Sequence, residues 1–351
     1  MSTWNKVKDL PIEISGYGLV AHSEDVSSDM HRQTTVIHLH GGGLTGRGED
    51  VVYDGVDHDS FQAAGEVHDL TGVATLGELS ELVSGLDLFP TKTPEREVSR
   101  LYRRWSFDSA ALDLALRQSG RSLPDLLGRE ASDLSFVVSL RLGDPPSLEA
   151  LNQRLSIQPG LRFKLDPTSD WDEALIAELA ATGAVESVDF KALYKGTTVD
   201  QVGDVGLYER VIEALPEAWI EDPDLEAPGV DDFLKPHRDR ITWDALIHSV
   251  DDIERLPFKP RMVNVKPSRV GGLESLLDTY DYCEREGIGA YSGGQFELSV
   301  GRDQVQLMAA IFHPDSPNDL APTGWNAKTP VGPLPGSPLP IKPVAAGFDL
   351  A

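Results

Sequence analysis

The chain has 351 residues, which is enough for a barrel-sized domain together with a second, smaller domain. Its composition, 40% hydrophobic and 25% charged, is ordinary for a folded globular protein. The formal net charge of -26 would repel nucleic-acid phosphates and anionic membranes, so we expect neither as a partner. The single cysteine, Cys283, excludes a disulfide framework within the chain.

Location and assembly are expectations drawn from what the sequence lacks. The amino-terminal residues show no apolar signal core, and no apolar run approaches the ~20 residues needed to span a bilayer. We therefore expect a cytoplasmic protein that acts on a small molecule, and we expect it to be a homo-oligomer.

The first third of the chain has the pattern of a mixed α+β domain. Residues 34–40 alternate apolar and polar side chains, three glycines turn the chain at 41–43, and residues 44–53 return as a second strand. Residues 73–130 have the pattern of helices, with one helix ending at Gly120 and a short one beginning at Leu123. We predict an α+β capping domain over residues 1–130.

From residue 134 onward, short β-branched runs alternate with amphipathic helices. This alternation indicates a parallel sheet, and seven repeats favour a closed barrel over an open sheet. We predict an α/β fold with a (β/α)7β-type TIM barrel over residues 131–320, and a Pro- and Gly-rich tail, 321–351, that packs back on the capping domain. The strand candidates are residues 135–140, 160–165, 185–190, 218–221, 241–243, 261–266 and 288–291.

Charged residues stand at the carboxyl ends of successive predicted strands. Lys164, Asp189, Glu221, Asp244 and Lys266 close the second to the sixth strand, and the last four are each about one βα unit apart. The strand ends of a parallel barrel meet at one mouth, where barrel enzymes keep their chemistry. Three carboxylates at one mouth repel one another unless a cation joins them. All-oxygen ligation by Asp189, Glu221 and Asp244 suits Mg²⁺, with Mn²⁺ as the second choice.

Two later motifs make the chain resemble a known family. Residues 266–273 read Lys-Pro-Ser-Arg-Val-Gly-Gly-Leu, and residues 292–297 read Ser-Gly-Gly-Gln-Phe-Glu. Together with the hairpin at 43–49, they resemble the enolase superfamily in its muconate lactonizing enzyme-like subgroup, and are similar to o-succinylbenzoate synthases and N-acylamino acid racemases. The resemblance covers nearly the whole chain.

The resemblance implies a function and assigns the site. The family uses Mg²⁺ and a lysine base to remove a proton next to a carboxylate, through an enediolate. Carried over, it makes Asp189, Glu221 and Asp244 the metal ligands, and Lys164 and Lys266 acid/base groups on opposite faces of a carboxylate substrate. The residues we expect to contact the substrate are Arg162, Lys191, Ser292, Gly293 and Glu297.

The chain departs from the family pattern at three places. The usual Lys-x-Lys of the second strand is either Arg162-x-Lys164, which we prefer, or Lys164-x-Asp166, which would place Asp166 at the base position. In the first register, Arg162 shares a strand face with Lys164 and lowers its pKa. Lys191 replaces an Asn, and would donate a hydrogen bond, clamp a substrate carboxylate or weaken metal binding. Ala245 replaces a Glu and removes a partner of the fifth-strand ligand.

The reaction outcome stays open at this level. Proton return to the opposite face gives racemisation or epimerisation, loss of a leaving group gives dehydration, and internal ring opening gives cycloisomerisation. A barrel of this lineage that binds a carboxylated ligand without turnover is the alternative from another class. Metal-assisted hydrolysis on an unrelated barrel ranks last, because it needs neither Lys266 nor the capping-domain motifs.

Overall fold

The computed structural model describes residues 2–26, 30–196 and 200–351, without the side chain of Met30. The first part of the chain is a three-stranded antiparallel sheet covered by helices. The strands pair in the order β1-β2-β3, and a tight turn with positive φ at Gly42 and Gly43 joins β2 to β3. The elements are α1 (Trp4–Val7), β1 (Gly16–Val26), β2 (Met30–Gly41), β3 (Leu44–Asp50), α2 (Gly55–Ala64), α3 (Leu76–Ser84), α4 (Ser99–Ser119) and α5 (Leu123–Leu127).

The long helix α4 packs directly on β3. A Cβ at Gly46 would lie 2.3 Å from the carbonyl oxygen of Ala110, and one at Gly48 would lie 2.0 Å from that of Ser106. Only glycine allows the two backbones to approach this closely. The helix therefore contacts the sheet at Gly46 and Gly48, which belong to the predicted hairpin.

The rest of the chain is a parallel barrel of alternating strands and helices. Strands β4 to β8 pair in sequential order, and β9 pairs in parallel with β10. The strands are β4 (Val138–Leu140), β5 (Phe163–Leu165), β6 (Val185–Asp189), β7 (Trp219–Glu221), β8 (Ile241–Thr242), β9 (Met262–Asn264) and β10 (Gly289–Tyr291). The helices are α6 (Glu149–Ile157), α7 (Glu173–Ala181), α8 (Val205–Ala214), α9 (Val230–Leu234), α10 (Val250–Glu254), α11 (Pro267–Val270), α12 (Leu273–Glu286) and α13 (Val300–Phe312).

Single hydrogen bonds and bridges close the barrel where the regular ladders stop. The amide of Asn264 donates to the carbonyl of Trp243 at 2.9 Å, which joins β8 to β9. Asn318 forms a parallel β-bridge with Phe136, and Asp319 forms one with Gly293. This segment therefore takes the place of the eighth strand, between β10 and β4. The predicted (β/α)7β barrel with an α+β capping domain is confirmed. The boundary near residue 130 stays a prediction, with α5 ending at Leu127 and β4 beginning at Val138.

Two buried side chains of the capping domain fasten it to the loop that follows β10. The guanidinium of Arg32 donates to the carbonyls of Gln295 at 3.1 Å and Phe296 at 3.3 Å. The carboxylate of Glu49 accepts the amides of Leu298 at 2.7 Å and Gly301 at 2.8 Å, at the start of α13. The loop at the barrel mouth is therefore held from the capping side.

The end of the chain packs along both parts. Leu134 and Leu339 exchange backbone hydrogen bonds beside the barrel. The amide of Phe348 donates to Asp113 in α4 at 2.8 Å, and its ring packs on Trp105. Within the described residues, no helix is long and apolar enough to cross a bilayer.

Candidate metal centre and active site

Three buried carboxylates converge at the carboxyl ends of neighbouring strands. Asp189 and Glu221 are the last residues of β6 and β7, and Asp244 lies two residues after β8. All three are fully buried, and one oxygen from each lies within 4.8 Å of the others. Among the described residues this is the one group of three His, Cys, Asp or Glu side chains close enough to share a metal ion.

The donor atoms of this triad fit a divalent cation. Oε2 of Glu221 is buried and has no hydrogen-bond partner in the described part of the chain. Burial raises the pKa of Glu221 well above its usual range, and the carboxylates of Asp189 and Asp244 raise it further. A cation at this point would stabilise the ionised form and use the free oxygen. Three carboxylates are the hard oxygen donors that Mg²⁺ and Mn²⁺ prefer.

Lys164, in the middle of β5, lies on one side of the triad. Its ammonium donates to Oε1 of Glu221 at 2.5 Å, and lies 3.0 Å from Oδ2 of Asp189 and 3.9 Å from Oδ2 of Asp319. Burial favours the neutral amine, but the surrounding carboxylates outweigh it and raise the pKa of Lys164 well above its usual range. Without a bound cation, Lys164 is therefore a charged partner of two of the acids.

Lys266, two residues after β9, contacts the third acid of the triad. Its ammonium donates to Oδ2 of Asp244 at 2.8 Å. Burial lowers the pKa of Lys266, with Arg269 acting in the same direction and Asp244 against it. A lowered pKa is what a lysine base needs near neutral pH. The side chain passes over Gly293, where a Cβ would lie only 2.6 Å from its Cε.

Asp244 is held in place from three directions. Arg269 donates to its backbone carbonyl at 2.5 Å and also to its carboxylate, and the hydroxyl of Tyr194 donates to Oδ2 at 2.8 Å. Asp222, with φ 48°, accepts the amides of Asp244 at 2.8 Å and Ala245 at 2.9 Å. Burial opposes ionisation of Asp244, but Arg269 and Lys266 hold its pKa well below the usual range. These contacts fix the position of the Asp244 carboxylate without a bound cation.

A second charged cluster lies beside the triad, at the ends of the first three barrel strands. The guanidinium of Arg141 donates to Oδ2 of Asp166 at 3.1 Å. The ammonium of Lys191 contacts Oδ2 of Asp189 and lies 3.8 Å from Oδ1 of Asp166. Both Asp166 and Lys191 thus face the mouth next to the candidate metal site.

Comparisons with known proteins agree with this geometry. The family described as "Domain of unknown function (DUF8230)" matches through its N-terminal domain over residues 5–126 and its C-terminal domain over residues 130–327. The N-succinylamino acid racemase of Amycolatopsis sp is 31% identical over 257 residues, covering 70% of this chain and 68% of that protein. The chain belongs to the DUF8230 family and to the enolase superfamily.

Further relatives and solved structures fall within the same superfamily. The o-succinylbenzoate synthase of Bacillus subtilis (strain 168) is 25% identical over 221 residues, which are 61% of this chain, and the chain spans only 57% of that protein's length. The muconate lactonizing enzyme from Pseudomonas putida superposes with a TM-score of 0.68 at 19% identity, covering 97% of both chains. An enolase-superfamily protein from Listeria innocua superposes with a TM-score of 0.65 at 20% identity, covering 89% of this chain and 86% of that one.

One residue that we expected at the enolase-superfamily site lies elsewhere. Arg162 pairs with Glu186 at 2.9 Å and donates to the carbonyl of Val185 at 3.1 Å, at the opposite end of β6 from Asp189. The prediction that Arg162 contacts the substrate and lowers the pKa of Lys164 is wrong. Arg162 precedes β5, which begins at Phe163, and its guanidinium reaches the residues at the start of β6.

The loop after β10 holds three of the residues that we expected to contact the substrate. Ser292 is buried, and its Oγ has no hydrogen-bond partner among the residues described. Gly293 leaves room for Lys266. Glu297 accepts the amide of Gln295 at 2.7 Å and pairs with Arg302 at 2.9 Å, so its carboxylate already shapes the loop. Contact of these residues with a substrate stays a prediction.

Sequence reasoning missed several side chains that complete the site. Arg141 directly follows β4, and the three acids of the triad likewise end or follow their strands. Its position could therefore have marked Arg141 as a residue of the site. Asp222 directly follows Glu221, but its two amide contacts depend on a positive φ that the sequence does not show. Asp319 belongs to the closing segment, which has no β-branched run to mark it as a strand.

Proposed function

We propose that this chain is a divalent-metal-dependent enzyme that removes the proton next to a carboxylate. The observation that carries the proposal is the arrangement of three buried carboxylates with two lysines, of which one contacts Asp189 and Glu221 and the other contacts Asp244. Asp189, Glu221 and Asp244 would hold the cation, with Mg²⁺ as the first choice and Mn²⁺ as the second. Membership of the enolase superfamily supports this assignment.

The cation, when bound, would supply a Lewis acid that stabilises the extra negative charge on the substrate carboxylate as the proton leaves. Lys266 would take that proton, since burial favours its neutral amine. Lys164 would hold a proton on the other face, since the acids around it favour its ammonium form. A proton donor and an acceptor on opposite faces allow both removal and return.

The outcome depends on the group beside the acidic carbon. Racemisation or epimerisation, cycloisomerisation and dehydration all begin with the same proton removal. Two of the similar proteins are named N-succinylamino acid racemase and o-succinylbenzoate synthase, which supports a small carboxylate substrate, and the first name supports racemisation. A cytoplasmic location and a homo-oligomeric state are part of the proposal, and sedimentation of the purified chain tests the second.

A carboxylate-binding barrel without turnover is the second candidate. Two observations favour it. Asp166 lies at the barrel mouth near the predicted acid/base residue Lys164, and Lys191 contacts the predicted metal ligand Asp189. Each adds a charge that the family pattern lacks. Such a protein would bind Mg²⁺ and a carboxylated ligand, but would exchange no proton.

Deuterium uptake separates the two candidates. The protein is incubated in D₂O with Mg²⁺ and a library of carboxylic acids, including N-succinyl amino acids and dipeptides, and each acid is examined by mass spectrometry. The proposal expects uptake on at least one acid, and its loss when EDTA removes the metal. Mg²⁺ binding and ligand binding with no uptake on any acid would favour the binding protein.

A further inference from the structure

Lys191 occupies a position from which it competes with a metal ion. Its amide donates to Oδ1 of Asp189 at 3.0 Å, and its ammonium contacts Oδ2 of the same carboxylate. Both oxygens of a predicted metal ligand are therefore engaged by one residue. The backbone of Lys191 has φ 53°, a left-handed conformation that Asn adopts more readily than Lys. A lysine here keeps its contact in spite of an unfavourable backbone.

Asp166 offers a second acceptor for the same ammonium. Its Oδ2 accepts from Arg141 at 3.1 Å, while its Oδ1 has no hydrogen-bond partner within the described ranges and lies 3.8 Å from Nζ of Lys191. The residue is only 7% exposed. An unpaired buried carboxylate oxygen is costly, so it is a strong acceptor for any donor that reaches it.

A cation on the triad and the ammonium of Lys191 compete for the carboxylate of Asp189. A Mg²⁺ ion lies ~2.0–2.1 Å from each ligand oxygen, so an ammonium bonded to Oδ2 of Asp189 would lie within about 5 Å of a double positive charge. The side chain of Lys191 is 15% exposed and can move toward the mouth, whereas that of Lys164 is 2% exposed and also contacts Glu221.

We propose that Lys191 is a tethered counterion that leaves Asp189 for Oδ1 of Asp166 when a divalent cation binds the carboxylate triad. The inference rests on the proposed metal function. In the metal-free protein Lys191 neutralises Asp189, and in the loaded protein it joins Arg141 and Asp166 in one row of charges along the mouth. Lys191 thus lowers metal affinity, and Asp166 partly restores it by receiving the displaced ammonium.

Metal affinity measured by calorimetry tests this without any substrate. With Mg²⁺ titrated into the full chain, Lys191→Gln should bind about tenfold more tightly than the native protein, because a charge pair of this kind contributes at least ~1.5 kcal/mol. Lys191→Asn is a second variant that suits the left-handed backbone. The matched control is Lys195→Gln, which removes the same charge from the same loop but breaks a pair with Asp224 at 2.9 Å, and should change the affinity less than about threefold.

The partner role of Asp166 has its own signature. Asp166→Asn should weaken Mg²⁺ binding about tenfold in the native background, because the ammonium loses its charged acceptor. In the Lys191→Gln background, Asp166→Asn should weaken Mg²⁺ binding less than about threefold. An equal cost in both backgrounds would show that Asp166 acts only through its long-range charge, and would overturn the transfer.

The outcomes separate this inference from the proposed function. Native protein that binds Mg²⁺, together with lysine variants that bind it no more tightly, would overturn the competition by Lys191 and leave the metal function standing. Native protein that binds neither Mg²⁺ nor Mn²⁺ would overturn both.

Discussion

Replacing Gly293 by alanine tests the position of Lys266 without removing any charged group. A Cβ at this position would lie 2.6 Å from Cε and 3.3 Å from Nζ of Lys266, and 3.4 Å from Nδ2 of Asn264. The backbone of Gly293 does not have positive φ, so alanine fits it without strain. The atoms in the way are the end of a flexible side chain, so the lysine moves and the backbone does not.

The size of the effect follows from the overlap. Carbon atoms in contact are usually ~3.5–4.0 Å apart, so the end of Lys266 must shift by about 1 Å. An off-rotamer side chain costs on the order of 0.5–1.5 kcal/mol, so the variant should fold normally. A misplacement of ~1 Å at a reacting group can reduce turnover ~10²-fold. Gly293→Ala should therefore lose about a hundredfold in proton exchange and little in stability.

The assay compares the deuterium exchange rate with Mg²⁺ affinity and thermal unfolding. The metal affinity of Gly293→Ala should change less than about threefold, because the three carboxylates are unchanged and Lys266 keeps its charge. Gly160→Ala is the control, since a Cβ there would meet nothing within 4 Å. An exchange rate that falls less than threefold, or a metal affinity that falls as much as the rate, would refute the role given to Lys266 and its spacing from Gly293.

Three further predictions concern the metal site and the barrel closure. Glu221→Gln should weaken Mg²⁺ binding at least ~100-fold in calorimetry, because replacing even a residue that only hydrogen-bonds to a metal ligand weakens metal binding ~10–100-fold. An unchanged affinity would remove Glu221 from the ligand set. Asp222→Asn should weaken Mg²⁺ binding ~10-fold, because it disturbs the acceptor of the Asp244 amide; no change would mean that Arg269 and Tyr194 hold Asp244 without it. Burial lowers the pKa of His313 from 6.5 to about 4, so the folded protein keeps this side chain neutral where the unfolded chain would protonate it. The free energy of unfolding is therefore greatest above pH 6.5. As the pH falls from 6.5 to 4, the free energy of unfolding should drop by about 3 kcal/mol, and His313→Gln should flatten that slope in denaturant titrations; an equal slope in both would contradict the assignment.

The meeting of the acidic residues at the strand ends could be predicted because the sequence shows their spacing. A parallel barrel brings the carboxyl ends of its strands to one mouth, so Asp189, Glu221 and Asp244 were expected to meet, and their oxygens do lie within 4.8 Å of one another. Lys164 and Lys266 followed from the same rule, and each contacts at least one of the three acids. Their roles as ligands and proton carriers stay predictions.

Side-chain contacts between strands were beyond the sequence. Arg162 was misplaced because β5 begins only at Phe163, so Arg162 lies before the strand and pairs with Glu186 at the start of β6. Asp166 and Lys191 were noticed as separate departures from the family pattern. Their approach to 3.8 Å depends on the positive φ at Lys191, which the sequence does not encode in any simple way. The closing segment at Asn318 was missed as a strand because it pairs through single bridges.

The most direct measurement is stereospecific deuterium exchange at the carbon next to the carboxylate, followed by NMR with the protein saturated with Mg²⁺. Lys164 contacts Asp189 and Glu221 whereas Lys266 contacts Asp244, and we expect each lysine to serve one stereoisomer. The native protein should exchange both isomers of its substrate, Lys266→Ala should lose exchange from one, and Lys164→Ala from the other, with both variants still saturated by Mg²⁺. Exchange that persists undiminished in Lys266→Ala, or that is absent from the native protein on every acid although Mg²⁺ binds, would contradict the account.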